Sequence, residues 1–163
     1  MIIWISHLKE RMRTMPKKVS NPNLVVAGTK VITNVGPKEI DKIVDKVYFL
    51  WNGMTYSEAT VKKVEEFGIQ DQHNTVIITF DSNRVLEVAR SFRFELTNGE
   101  HVKAKDLEVG ALLHGWSMPG AWCDIATVES IQKGSDHEVM YSVDEPIIHR
   151  VVFEGIRTPD EGG

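Results

Sequence analysis

Few residues in this chain have the type and spacing that chemistry needs. Its one cysteine, Cys123, lies in Pro119-Gly-Ala-Trp-Cys-Asp124. A reactive thiol needs a cationic or helix-terminal setting. Asp124 opposes that, so a buried or half-buried packing role is expected. One cysteine also excludes an intrachain disulfide and cysteine-based zinc or iron–sulfur clusters. The histidines, His7, His73, His101, His114, His137 and His149, form neither an H-x-x-x-H nor an H-E-x-x-H spacing. No metal site and no cofactor are therefore expected. Asp144-Glu145 and Asp41/Asp45 could be imagined as carboxylate pairs, but nothing in the spacing makes them face each other, and they read as solvated. Trp116 and Trp122 flank a Pro/Gly loop, Ser117–Ala121. On a loop they would be interface anchors; core positions are the equal alternative.

Charge is distributed unevenly. The 163 residues hold 19 basic and 23 acidic side chains, a net charge of −4. Residues 1–23 carry Lys9, Arg11, Arg13, Lys17 and Lys18 against Glu10, a net +4, so the remainder carries −8. The acidic body argues against bulk nucleic-acid binding. Within the basic arm Trp4, Leu8, Met12 and Met15 recur every three or four residues until Pro16, which is helical periodicity. So short a helix cannot stand alone in water. It must dock, and Trp4, Leu8, Lys9, Arg11, Met12 and Arg13 are its candidate contacts, to protein rather than to lipid. No apolar run reaches the roughly 18–20 residues that span a bilayer. The apolar start precedes its charges, the reverse of a secretory signal, so an intracellular, cytoplasmic product is expected.

The body must position whatever site exists, and from Leu24 onward its elements read as β. Val25–Thr33, Val47–Trp51, Thr75–Phe80, Val85–Ala89, Phe92–Leu96, Ala111–Trp116, Ile125–Gln132, Val139–Val143 and His149–Phe153 are strand-like, rich in β-branched and aromatic residues. Asn52-Gly53 reads as a type I′ hairpin turn. Met54–Phe67 alternates as a strand would, though Ser57–Phe67 can also be written as a helix. Tyr48, Phe49, Trp51, Phe80, Phe92 and Phe94 fall in strands and are expected to form core. About ten short strands with no βαβ rhythm predict an all-β fold preceded by a helical arm. The domains are then 1–23, 24–160 and a tail, 161–163.

The order of these pieces resembles the Hint domain, the self-processing fold of inteins and hedgehog C-terminal domains. Leu24-Val-Val-Ala-Gly-Thr-Lys-Val-Ile-Thr33 with Gly36 and Ile40 is similar to the opening block, usually Cys-x-x-x-Gly-Thr. Val85–Gly99 resembles the block containing Thr-x-x-His. His101–Gly110 resembles the "A-x-D-L-x-x-G-D" continuation, with Ala111 in place of the usual acid. Val139–Val143 and His149–Asp160 resemble the closing blocks, which normally end in His-Asn. The resemblance implies a chemistry that these residues do not supply. The opening nucleophile, a Cys or Ser, aligns with Leu24, which has no nucleophilic atom. The Thr and His that polarise and protonate the scissile peptide align with Ala89 and Phe92. The terminal His-Asn aligns with Pro159-Asp160, and a carboxylate cyclises poorly compared with an amide. Only His149 is kept. Such roles act as a unit, so no splicing, cleavage or cholesterol-type transfer is expected.

The leading expectation is a non-catalytic, vestigial Hint module that binds other protein chains through its arm within a homo- or hetero-oligomeric assembly. The resemblance suggests a phage particle as that assembly. Two alternatives stay open. One is a weakly active self-cleaving domain using Ser20, Thr29 or His149; the other is weak nucleic-acid tethering through the arm.

Overall fold

The computed structural model describes residues 22–65, 74–116 and 123–161. Thirteen strands occur in them: β1 (Lys30–Thr33), β2 (Gly36–Glu39), β3 (Tyr48–Trp51), β4 (Tyr56–Val64), β5 (Asn74–Phe80), β6 (Val85–Ala89), β7 (Arg93–Glu95), β8 (His101–Lys103), β9 (Leu112–Trp116), β10 (Cys123–Asp136), β11 (Met140–Asp144), β12 (Arg150–Phe153) and β13 (Ile156–Pro159). Helical structure among the described residues is confined to single 3-10 turns at Ile40–Lys42, Asp81–Asn83 and Ala104–Asp106. Residues 1–21 of the arm, 66–73, 117–122 and residues 162–163 of the tail lie outside the described residues.

Eleven strands make one antiparallel sheet in the order β11-β4-β3-β1-β12-β13-β9-β10-β5-β6, with β2 paired to β1; β7 and β8 form a separate ribbon. Its terminal strands, β11 and β6, do not pair with each other. Val25 joins them by bridging both Tyr141 and Val88, donating its N–H to Tyr141 and accepting from it. The opening segment is thus the seam between the two ends of the sheet, and it covers part of two edges that would otherwise be open. Beneath it lies one core built on Phe80, Phe92, Phe94 and Phe153 with the aliphatic residues of the inward faces.

β4 is a strand throughout its length because its period is two. Ser57, Ala59 and Val61 point inward, while Glu58, Thr60 and Lys62 are exposed. The same alternation corrects an aromatic assignment. Phe49 is exposed, since Leu50 takes the inward position on β3. Asn52-Gly53 does turn the chain, but as part of a four-residue connection rather than a two-residue type I′ hairpin. Asn52 is buried, and its Oδ1 accepts from the N–H groups of Met54 and Thr55, both at 2.8 Å. A two-residue turn of that kind does occur at Glu154-Gly155, with φ of 48° and 80°, between β12 and β13. Its sequence is not among the usual turn dipeptides, so β13 passes unnoticed in the linear pattern.

Candidate functional site

Asn23 ties the start of the domain to its end. Its N–H donates to the Asp160 carbonyl at 3.2 Å, and Pro22 bridges Glu161 in antiparallel fashion. The Asn23 side chain is fully buried and fully used. Nδ2 donates to the carbonyls of Pro159 (2.8 Å) and Arg93 (2.9 Å), and Oδ1 accepts from the Arg93 N–H (2.8 Å). One amide therefore links the opening segment, β7 and the end of β13. The sequence reading assigned Asn23 to the arm, 1–23, and not to the body. Its only signal was its position beside Leu24.

Leu24 follows, buried to 1% exposure, and packs with Ala89 and Met140 in a small apolar cluster. Its carbonyl accepts the Ala89 N–H at 3.0 Å. The structure thus brings together positions 24 and 89, distant in sequence, but what meets there is hydrocarbon. Phe92 turns the other way, into the main core, where its ring lies 4.7 Å from that of Phe94 and 6.2 Å from that of Phe153. A Phe at 92 and a Leu at 24 place no proton donor and no nucleophile at the junction.

On the other side of the junction, polar groups remain. His149 Nδ1 lies 3.4 Å from Asp160 Oδ2, and that oxygen also accepts the Glu145 N–H at 2.9 Å. Asp160 is buried, and its Oδ1 has no hydrogen-bond partner. Burial pushes the Asp160 carboxyl up, against the opposing pull of the Glu145 N–H and His149. The His149 ring is more than half exposed, and its backbone adopts a left-handed φ of 57°. Glu145 holds the loop in that shape. Its Oε1 accepts from Ile147 N–H and Ser57 Oγ–H, and its Oε2 from Ile148 N–H and Arg150 N–H. Burial alone would raise the Glu145 pKa; those hydrogen bonds outweigh it and hold the carboxyl below the ordinary value. Glu145 is therefore a buried structural acid, which corrects its reading as solvated. Asp144 beside it is exposed, at the end of β11 and paired with the exposed Thr60 of β4.

His149, Asp160 and Glu161 bring one ligand atom each to within 4.8 Å of one another. The linear spacing gives no sign of this grouping. It is one imidazole and two carboxylates, two of the three groups exposed.

A second polar cluster sits behind the junction. Glu95 on β7 receives Arg150 Nε and Nη2 at 2.9 and 2.8 Å, Arg157 Nη2 at 3.3 Å, and lies 3.3 Å from His101 Nε2. The two-pronged Arg150 contact overcomes burial and holds the Glu95 carboxyl down to about 2. Burial and the nearby Arg157 cation depress His114.

The remaining candidates are dispersed. Trp116 is on β9, half-buried with its ring 5.5 Å from that of Trp51, and so does not stand free on a loop. Trp122 and the arm residues Trp4, Leu8, Lys9, Arg11, Met12 and Arg13 lie outside the described residues, as does Ser20. Thr29 is buried and gives its hydroxyl to the Val26 carbonyl at 2.7 Å. Cys123 is exposed, contrary to expectation: it opens β10 opposite Trp116, at an end of the strand where Asp124 and Ile125 also face solvent.

A sheet closed on itself by the opening segment, with both chain crossings side by side, is the Hint architecture: the chain has an intein-like fold. It matches the solved structure of the gp41-1 intein at a TM-score of 0.65 and 18% identity, over 84% of this chain and 98% of that one. A DnaB intein from Synechocystis sp. PCC 6803 matches at a TM-score of 0.69 and 11% identity, over 85% and 99%. A bacterial intein-like domain from Clostridium thermocellum matches at 0.61 and 19%, over 83% and 97%. No protein-family model matches the chain, and no curated protein does. At these identities the likeness is one of fold.

Proposed function

We propose that this chain is a non-catalytic Hint module, an intein-like body that serves by shape and surface as an interaction component of a larger protein assembly. The observation that carries the reading is the content of the junction. Leu24 and Ala89 are packed with Met140 as hydrocarbon, and Phe92 is an integral part of the aromatic core. Nucleophilic attack on the preceding carbonyl needs an activated heteroatom and a donor over the developing oxyanion; neither position can offer one. The basic amphipathic arm, Trp4, Leu8 and Met12 with Lys9, Arg11 and Arg13, is the tether to partner chains. A virion is one assembly in which such a component would work.

The intact mass of purified protein, followed over days with and without a thiol, tests the first half. It is expected to stay at the full-length value, and fragments ending at Asn23 or beginning at Leu24 would overturn the reading. Light scattering on the full chain tests the second half. Association is expected, and it should be lost when Trp4, Leu8 and Met12 are all replaced by Ser; a monomer indifferent to those changes counts against the arm as tether.

One observation favours a second reading, slow self-cleavage between Asp160 and Glu161. The Asp160 carboxyl is buried, retains its proton more readily than usual and touches His149. The same mass measurement distinguishes it, by loss of the residues after Asp160.

A further inference from the structure

The body's net acidity hides a face of the opposite sign. A groove of about 390 Å³ lies where the end of β6, the start of β5 and the later part of β10 meet, and Arg90, Lys105 and Lys133 line it. A second, open depression of about 570 Å³ adjoins it through the shared Lys105 and adds Arg93, Lys103 and His101. Asp106 is the one acid among the lining residues of either.

Three features set this cluster apart from ordinary solvated lysines. First, among the described residues none of these five Lys and Arg side chains has an ion-pair partner. Of the nearby carboxylates, Glu87 is engaged with Thr75 and His137, and Glu95 with Arg150, Arg157 and His101; Asp106 alone faces the second depression as an acid. Second, Arg93 and Lys103 are directly opposed across the β7–β8 ladder. Like charges in that arrangement repel and destabilise the pair, so the ribbon carries an electrostatic cost that a bound anion would relieve. Third, the scaffold beneath is fixed by main-chain bonds. Arg90 N–H donates to the Asn74 carbonyl at 3.1 Å, Lys105 N–H to the Arg90 carbonyl at 3.1 Å, and Ala104 N–H to the Phe92 carbonyl at 2.7 Å. A register shift in β10 immediately follows Lys133, the kind of irregularity that re-aims a side chain.

We propose that this face binds the sugar–phosphate backbone of a nucleic acid, without reading its sequence. Two joined depressions with cations along both suit a chain of repeated charges better than one isolated anion. The apolar lining is limited to Val76, Ala104, Ile131 and Val102. Among the described residues no Phe, Tyr or Trp lines either depression to stack a base or to anchor an acidic protein segment, and the His101 ring is held by Glu95. What remains is contact with phosphates, which positions a nucleic acid but does not specify it. The net charge of −4 does not prevent this, because at physiological salt fields are screened within about 8 Å and the local cluster dominates.

The test is fluorescence anisotropy of a short mixed-sequence DNA duplex with the full chain, from ~50 to ~200 mM salt. Replacing Arg90, Lys105 and Lys133 together by Ala is expected to weaken binding at least tenfold at low salt. It should also flatten the log–log salt slope by about 3, roughly one for each phosphate that is no longer neutralised. All three side chains are exposed, so the variant should keep the parent's circular dichroism and melting temperature. The single change Lys105→Glu should weaken binding more than Lys105→Ala, which separates charge from shape. Replacing Lys9, Arg11 and Arg13 by Ala should leave that groove-dependent share of the slope in place. Unchanged affinity in the triple groove variant would overturn the proposal. Loss of all binding in the arm variant would assign the affinity to the arm and overturn it equally. Polyglutamate competing as well as DNA at equal charge would overturn it in favour of an acidic protein partner.

Discussion

Asn23 holds the junction with one small side chain. Truncation to Ala would deprive the half-buried Arg93 carbonyl and N–H of these bonds and leave the buried Pro159 carbonyl with the Thr158 hydroxyl alone. At about 1–3 kcal/mol for a buried group left unsatisfied, with partial relaxation, Asn23→Ala should cost about 2–4 kcal/mol in urea unfolding. Phe92 makes the complementary point. Phe92→His would return an imidazole to the position where the resemblance expects one, but the site is now core. The variant should be destabilised by about 2–4 kcal/mol through poorer packing and a buried polar ring, and its intact mass should stay unchanged over days. Cleavage in that variant would mean that Leu24 does not block the chemistry. That Leu24, Ala89 and Phe92 carry neither a nucleophilic atom nor a proton donor is plain from their side chains alone. Phe92 is also expected in the core, where it lies; the burial of Leu24 and Ala89, and the roles of Asn23 and Glu145, were not legible. Those depend on which backbone groups each side chain meets, and the partners lie up to 136 residues away.

At the level of elements, the strands rich in β-branched and aromatic residues were readable because their own period is two. Three short ones escaped. β2 contains Gly36 and Pro37, which depress strand propensity; proline is tolerated there because β2 pairs with β1 alone, as an outer strand. β8 has three residues. β13 follows a turn made by Glu154-Gly155. At that turn Gly155 has φ of 80°, and a Cβ on it would meet the Trp116 carbonyl oxygen at 2.6 Å. Its own carbonyl accepts the Trp116 N–H at 2.7 Å, joining the turn to β9. Gly155→Ala should therefore strain the backbone and part that bond, lowering stability by more than the ~1 kcal/mol of an incompatible φ alone. Thermal melts beside Gly28→Ala, where φ is also positive but nothing lies within 4 Å, would separate the close approach from the strain. A Gly155 variant no worse than the Gly28 variant would refute the close-approach account.

For the whole molecule, the Glu95 cluster gives the pH response a sign. It joins β7, β8, β12 and β13 through one carboxylate. Held at about 2 against an ordinary 4.5, Glu95 takes up its proton later in the folded chain than in the unfolded one. Its contribution is therefore complete above about pH 5 and is lost as pH falls from 4.5 towards 2. Asp160 and Glu154, both raised by burial, act in the opposite sense, since their ionisation costs stability and acid relieves it. The clean observable is the difference between wild type and Glu95→Gln. It should be about 1–3 kcal/mol at neutral pH, should be mostly gone near pH 2 and should vanish only below it. A gap independent of pH would rule out the ion pairs as its source. Composition gave the total charge but not this arrangement, in which acids are drawn inward to neutralise arginines while lysines of another face are left without partners.

The pairing of Pro22 with Glu161 also has a mechanical consequence. The backbone enters and leaves the body as antiparallel neighbours, so a pull on both ends loads the Asn23–Asp160 and Asn23–Pro159 bonds in succession, in the manner of a zipper and not of parallel shear. Once they part, the load passes to Leu24–Val26, where Val25 is bonded to Tyr141 of β11 and its two neighbours to Ala89 and Glu87 of β6. A domain with this layout yields at low tension from its ends, while resisting far better a force applied across its strands.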